Sequence, residues 1–210
     1  MARKAILSGG KKDDIIAAAL KLFMQKGYDD TSVRMILGDV GGEIGMFYHY
    51  FKSKDEVFEA AVNLFLKRYV EGFCRIADDT QVGPAAQLSA SLGWFRSAME
   101  EYNTFMGKSG LGQIGFPQRE ALHSRTIDAL VPHVENILVN AIASGFVQKP
   151  EGIAEHELTQ FVLHGFAGVM DLINMDGPVH EEEFKRRYSH ASALASSMLG
   201  IPAELFLAKA

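Results

Sequence analysis

The sequence predicts an all-α protein, and three observations lead to that class. Apolar residues recur at helical spacing through most of the 210 residues. Glycines and capping side chains separate these stretches at intervals of about one helix. Alternating Val and Thr, which would indicate strands, is scarce. With 48% hydrophobic residues the chain can build a real core, and no apolar run reaches the ~18 residues of a membrane span.

The first part of the chain predicts four helices. Gly27 ends the first helix, because glycine suits the left-handed position that follows a helix. Thr31 can cap the second helix, which Gly41-Gly42 breaks, and a short segment, Glu43 to Tyr50, follows. A capping box, Ser53 to Glu56, then opens a long helix. The apolar stripes are Ile15, Ile16, Ala19, Leu20 and Phe23; Val33, Ile36, Leu37 and Val40; and Val57, Phe58, Ala61, Val62, Phe65, Tyr69 and Phe73.

The remainder predicts four more helices and one glycine-rich loop. The helices cover about residues 85–106, 119–144, 156–175 and 181–199. Pro132 predicts a kink or a restart within the second of these, because proline cannot complete the helical hydrogen bonding. Gly107 to Pro117 holds four glycines and is expected to be a loop or a set of short turns.

Residues 31–50 have the spacing of a helix-turn-helix. With Gly41 as the turn glycine, Ile36 and Val40 precede it, and Phe47 and Tyr50 follow it, at the packing positions of two closely crossing helices. The side chains left pointing outward are Arg34, Met46, Tyr48 and His49. Charge agrees with a nucleic-acid-binding head, since residues 1–60 are formally neutral with a basic tip and residues 61–210 carry the whole net charge of −5.

Residues 14–57 resemble the TetR family of bacterial transcriptional repressors. The resemblance rests on fixed spacings among Ile16-Ala17-Ala18-Ala19-Leu20-Lys21-Leu22-Phe23, Lys26-Gly27-Tyr28, Thr31-Ser32-Val33-Arg34, Ile36, Gly41, Gly45, Phe47-Tyr48 and Phe51-Lys52-Ser53-Lys54-Asp55-Glu56. It implies a helix-turn-helix domain over residues 9–57, with the motif at about 32–51, and a helical ligand-binding and dimerisation domain over 58–210. It also implies a homodimeric repressor that a small effector releases from operator DNA by tilting the long helix.

The turn departs from the family pattern at four positions. They are Leu37, where a small residue is usual; Gly42, where an apolar one is usual; Glu43, where Ser or Thr often caps; and Ile44, which is often polar or basic. These residues make the expected recognition surface unusually apolar.

Each expected DNA contact has a physical reason. Arg34 can donate two hydrogen bonds to a guanine or bind a phosphate, and Gly45 lets the backbone approach the duplex. Ile44 and Met46 suit thymine methyl groups, while Tyr48, Lys54 and Thr31 suit phosphates. The complete expected set is Thr31, Ser32, Arg34, Ile44, Gly45, Met46, Tyr48, His49, Lys52 and Lys54.

Two further surfaces are expected in the second domain. An apolar effector pocket is expected beside the glycine-rich loop, with His123 and Tyr102 as polar handles; its residues are Trp94, Phe95, Met99, Tyr102, Phe105, Phe116 and His123. A homodimer interface of the last two helices is expected from their small residues, with packing inside one chain as the alternative. Its residues are Phe161, Gly165, Gly168, Leu172, Tyr188, Ala191 and Ala195.

Other functional classes lack support in the sequence. The run Gly110 to Gly115 spells GxGxxG, but a helical stretch rather than a strand precedes it. No two histidines lie three or four residues apart, so no helical metal site is indicated. We therefore expect no enzyme, cofactor or membrane partner, and a cytoplasmic protein with the single Cys74 as a buried thiol. The alternative function is a helical small-molecule-binding or scaffold protein with a degenerate DNA-binding head.

Overall fold

The computed structural model describes residues 10–79, 81–109, 116–170 and 180–207. These residues form nine helices and no strand, which confirms the predicted all-α class. The helices are α1 (Lys11–Lys26), α2 (Val33–Val40), α3 (Ile44–Tyr50), α4 (Lys54–Ala77), α5 (Pro84–Ser109), α6 (Phe116–Ala143), α7 (Glu155–Met170), α8 (Glu181–Leu199) and α9 (Glu204–Leu207). Among the described helices, none is both long enough and apolar enough to cross a membrane.

The helix ends follow the local signals of the sequence. Gly27 and Gly41 follow α1 and α2 with φ of 88° and 65°, values that a side chain would disfavour. Ser53 caps α4 by accepting a hydrogen bond from the Glu56 amide at 3.2 Å. The Glu56 carboxylate accepts from the Lys52 amide at 2.6 Å, so this capping box closes one residue earlier than the usual form.

Three predictions about the elements need correction. Ser32, rather than Thr31, caps α2, with its hydroxyl accepting from the Met35 amide. Pro132 lies inside the continuous helix α6, so the helix does not restart there, which was one of the two predicted outcomes. Residues 107–109 are the last of α5, and Phe116 and Pro117 begin α6, so the predicted loop is wrong at both of its ends. Residues 110–115, which hold the GxGxxG run, lie outside the described residues.

The long helix α4 joins two hydrophobic cores. Its first half, from Val57 to Phe65, is buried with α1, α2 and α3 in a first core, here called the head core. Its second half, from Tyr69 to Ala77, is buried with α5 to α9 in a second core, the body core. Phe105 of α5 and Leu122 of α6 also lie in the head core, so the body helices support the head directly. One helix thus connects the candidate DNA-binding region to the rest of the chain.

Candidate DNA-binding surface and effector cavity

Helices α2 and α3 cross through a short turn that Gly41 permits. Gly41 takes the left-handed conformation and donates its amide hydrogen to the Leu37 carbonyl, which ends α2. On either side of the turn, Ile36 and Phe47 have no exposed surface. Val40 and Tyr50 pack at the edge of the same core, as the spacing predicted.

The unusual residues of the turn fit one another sterically. A β-carbon on Gly42 would lie 2.0 Å from the terminal methyl of Met46 and 3.1 Å from a methyl of Leu37. Gly42 therefore leaves the room that the Met46 side chain uses to fold back toward the buried Leu37. Met46 is consequently half-buried and belongs partly to the head core, rather than pointing fully outward as predicted.

The outer face of α3 is open to solvent. Ile44, Gly45, Tyr48 and His49 are exposed there, opposite the buried Phe47. Around Gly45, a β-carbon would meet no atom within 4 Å, so packing inside the chain does not require a glycine. Ser32, Arg34 and Lys52 are exposed nearby in sequence, and Arg34 makes no ion pair with any described residue. Seven of the ten residues predicted to contact DNA are thus exposed, and these seven are from here on called the α3 face.

Thr31 and Lys54 serve the fold of the head instead. Thr31 is 1% exposed, and its hydroxyl donates to the Gly27 carbonyl at 2.6 Å, so it cannot contact phosphate without leaving the core. The Lys54 ammonium donates to the carbonyls of Tyr28 and Thr31 at 2.8 and 3.0 Å and lies 3.8 Å from the centre of the Tyr28 ring. Asp55 accepts a hydrogen bond from the Tyr28 hydroxyl, so α4 holds the α1–α2 loop from two sides.

An apolar cavity of about 150 Å³ lies between α4, α5, α6 and α7, with Phe206 of α9 at its wall. That volume is roughly tenfold the ~10–15 Å³ that one water molecule needs. Four predicted pocket residues line it, namely Phe95, Met99, Tyr102 and His123. Burial, and then the neighbouring His164, lowers the pKa of His123, so its imidazole is neutral at pH 7.

Two predicted pocket residues, Phe105 and Trp94, are not among the described residues that line the cavity. Phe105 is buried in the head core, with its ring centre 6.0 Å from that of Phe58. Trp94 lies against Gly72, where a β-carbon would come within 2.1 Å of the indole, and its ring nitrogen donates to the Tyr69 carbonyl. The side chain of Phe116 lies outside the description.

Two polar residues that line the cavity were not predicted from the sequence. Tyr69 and Ser91 both line it, are 8% and 3% exposed, and have hydroxyl oxygens with no hydrogen-bond partner among the described residues. Tyr69 belongs to an apolar stripe, and Ser91 to an otherwise apolar helix face, so neither carries a sequence signal for a polar site.

The expected dimer surface divides into exposed and buried residues. Phe161, Gly165 and Gly168 are exposed on α7, and Phe161 has 64% of its surface open. Tyr188, Ala191 and Ala195 are instead buried in the body core, and Leu172 lies outside the described residues. Leu194 on α8, which the helical spacing also placed on this surface, is 61% exposed. We call the exposed residues Phe161, Gly165 and Gly168 of α7 and Leu194 of α8 the α7–α8 face.

The geometry defines a class of protein: a helix-turn-helix head carried on a larger helical body that encloses an apolar cavity. Residues 15–61 match the bacterial regulatory proteins of the tetR family. The head of the chain is thus assigned to this family, and the match does not extend into the body.

Individual relatives agree with that assignment. The chain is 29% identical over 96 residues to an uncharacterised HTH-type transcriptional regulator of Lactococcus lactis, covering 46% of this chain and 49% of that protein. It is 30% identical over 90 residues to the HTH-type transcriptional repressor KstR2 of Mycolicibacterium smegmatis, covering 43% and 42%. These matches span less than half the length of the curated relatives.

A solved structure shares the whole architecture. The transcriptional regulator of Cytophaga hutchinsonii superposes with a TM-score of 0.70, covering 91% of this chain and 98% of that one at 22% identity. At that identity the likeness shows the fold alone, and it extends through the body as well as the head.

Proposed function

We propose that this protein is a DNA-binding transcriptional regulator that binds operator DNA as a homodimer and is released by a small apolar effector. The observation that carries the proposal is the open α3 face. Gly45 belongs to it with no packing role among the described residues, and Arg34 and Tyr48 are exposed members of the same set. A duplex can thus approach the backbone of α3, with donor groups available to bases and phosphates.

Dimerisation is supported by the α7–α8 face. Phe161 and Leu194 expose most of their apolar surface, and Gly165 and Gly168 leave open space beside them. Two copies related by a twofold axis would bury these residues in a four-helix bundle. The symmetry would place two α3 faces on one side of the dimer, as two half-sites of an operator require.

Effector response is supported by the position of the cavity. Phe65 and Tyr102 line it, with their ring centres 5.9 Å apart. Phe65 is also 5.5 Å from Phe105, which contacts Phe58 in the head core. A molecule that moves Phe65 or Tyr102 therefore disturbs the packing under the head directly. The effector releases DNA if it binds more tightly to a conformation in which the spacing of the two heads does not match the operator. Such a regulator acts beside the chromosome, which is consistent with the expected cytoplasmic location.

The test is selection of DNA by the purified full chain from a pool of random duplexes. The expected product is an inverted repeat whose half-sites are about 34–36 Å apart, or a multiple of that distance. A matched Arg34→Ala/Tyr48→Ala variant, changed only at exposed positions, should enrich no sequence. If the unmodified chain enriches nothing beyond that variant, DNA binding by the α3 face is refuted.

A second function is favoured by one feature of the turn. Glu43 begins α3 without a side-chain cap, and the exposed Ile44 follows it, so the start of α3 is poor in groups that bind phosphate. A small-molecule-binding protein with a degenerate head would show ligand binding in the cavity and no enrichment of DNA in the same experiment.

A further inference from the structure

Two residues that line the cavity, Tyr69 on α4 and Ser91 on α5, have buried hydroxyl groups with no hydrogen-bond partner among the described residues. Burying a hydroxyl without a hydrogen bond opposes folding, and nearly all buried polar atoms in proteins avoid it. Two such groups at one cavity therefore need an explanation.

Comparable groups elsewhere in the chain are bonded. The hydroxyl of Tyr188, equally buried, donates to the Phe206 carbonyl at 3.0 Å. Ser192, buried within α8, donates to the Tyr188 carbonyl at 2.7 Å. Thr126, which lines the same cavity, donates to the Leu122 carbonyl at 2.8 Å. Buried hydroxyls in this protein thus usually find backbone partners, and Tyr69 and Ser91 do not.

The rest of the lining carries no formal charge. Among the described residues around the cavity none is Asp, Glu, Lys or Arg, and the other polar side chains are Tyr102, His123 and Thr126. Burial, together with nearby Tyr188, raises the pKa of Tyr69 well above its usual value, so its hydroxyl stays protonated and able to donate. An ionised ligand would lose its hydration here without gaining an opposite charge.

We propose that the effector of this cavity is an uncharged, mainly apolar molecule whose single carbonyl or hydroxyl oxygen accepts hydrogen bonds from Tyr69 and Ser91. The proposal rests on the effector site assigned above and specifies what that site selects. Apolar area supplies affinity, and the two hydroxyls supply the preference for an oxygen atom.

The test compares five probes of equal chain length: 2-octanone, 1-octanol, octane, octanoate and octylamine. Binding is followed without DNA, by the rise in melting temperature and by the fluorescence of Trp94, whose indole donates to the Tyr69 carbonyl. The ketone and the alcohol are expected to bind more tightly than octane, and octanoate and octylamine more weakly than either.

Tyr69→Phe and Ser91→Ala should each lower the affinity for 2-octanone by about 3–10-fold and leave the affinity for octane unchanged. Neither substitution should lower the melting temperature of the unliganded protein, because no hydrogen bond is lost. Thr126→Val is the matched control: it removes a bonded hydroxyl from the same cavity and should not change the ratio of ketone to octane affinity.

The proposal is overturned if a charged probe binds best, if none of the five binds, or if Tyr69→Phe and Ser91→Ala leave the ketone-to-octane ratio at its original value. It is also overturned if both substitutions reduce the melting temperature as a lost structural bond would. One further result would distinguish this proposal about ligand preference from the proposed regulation of DNA binding. Ketone binding with the expected preference, but without any change in operator affinity, supports the selectivity of the cavity and contradicts its role as an effector site.

Discussion

Gly45 and Gly38 both have open space where a β-carbon would lie, and both belong to short helices of the head. They differ in position, since Gly45 lies on the α3 face and Gly38 on α2. A glycine inside a helix destabilises the fold relative to alanine, and packing inside the described chain explains neither glycine. For Gly45, the proposed contact with DNA would supply a reason.

Gly45→Ala is expected to stabilise the protein by about 0.5–1 kcal/mol and to weaken operator binding by about tenfold or more, because the methyl group keeps the duplex away. Thermal unfolding and fluorescence anisotropy with labelled operator measure the two effects. Gly38→Ala, the matched control, should give the same stabilisation without loss of affinity. Equal operator affinity in both variants would show that Gly45 does not contact DNA.

Lys54 and Lys52 are expected to have different roles, with Lys54 stabilising the fold and Lys52 contacting DNA. Lys54→Met removes the two hydrogen bonds to backbone carbonyls and should cost about 1–3 kcal/mol of stability while leaving the salt dependence of DNA binding unchanged. Lys52→Met changes an exposed side chain and should reduce the slope of log affinity against log salt by about one. Denaturant unfolding and salt titrations measure both quantities. A smaller slope of log affinity against log salt in Lys54→Met would show that this lysine does contact DNA.

At the scale of elements, sequence signals predicted where helices begin and end better than which neighbours they face. Gly27, Gly41 and Ser53 marked three boundaries because capping and left-handed turns depend on a few adjacent residues. Periodicity identified the apolar faces of α5 and α8 but not their partners. For this reason the sequence predicted a ligand contact for Phe105 and a dimer contact for Tyr188. In the structure, Phe105 is buried in the head core and Tyr188 in the body core.

The same limit explains why Tyr69 and Ser91 were missed. A hydroxyl becomes notable only when burial removes water and no backbone carbonyl is within reach. Both conditions arise from packing between α4 and α5, which residue spacing in one helix does not reveal.

The α7–α8 face gives a prediction at this scale. Leu194→Arg and Phe161→Arg should each convert the dimer to monomers and abolish operator binding, because one head contacts too few phosphates to bind alone. Sedimentation velocity and gel shift measure the two properties. Val139→Arg is the control, since Val139 is an exposed apolar residue on α6. Dimers that persist in both test variants would place the interface elsewhere.

For the whole molecule, coupling between the cavity and the head should depend on Phe105. This side chain contacts Phe65 on the cavity side and Phe58 in the head core, but does not line the cavity itself. Phe105→Leu is therefore expected to retain binding of 2-octanone and of operator, at a cost of about 1–2 kcal/mol in stability. The decrease in operator affinity that the ketone causes should become smaller.

Phe184→Leu is the control for that measurement, because Phe184 is buried in the body core and is not a lining residue. Operator affinity with and without ketone gives the coupling in each variant. Coupling that is unchanged in Phe105→Leu would show that the response reaches the head by another route.

The close approach of Trp94 to Gly72 has a mechanical consequence. Because the indole lies where a side chain at position 72 would be, α4 cannot slide along α5 by a turn without driving a bulkier residue into the ring. If α4 instead pivots, as the expected tilt of this helix requires, the indole would be the fulcrum of the motion. Eighteen residues separate Gly72 from Lys54, so the arm toward the head is about 27 Å long at 1.5 Å per residue. A rotation of about 5° at the fulcrum would displace the far end by roughly 2 Å. If an effector tilts α4 as expected, small adjustments around the cavity would in this way be magnified where α4 meets the head.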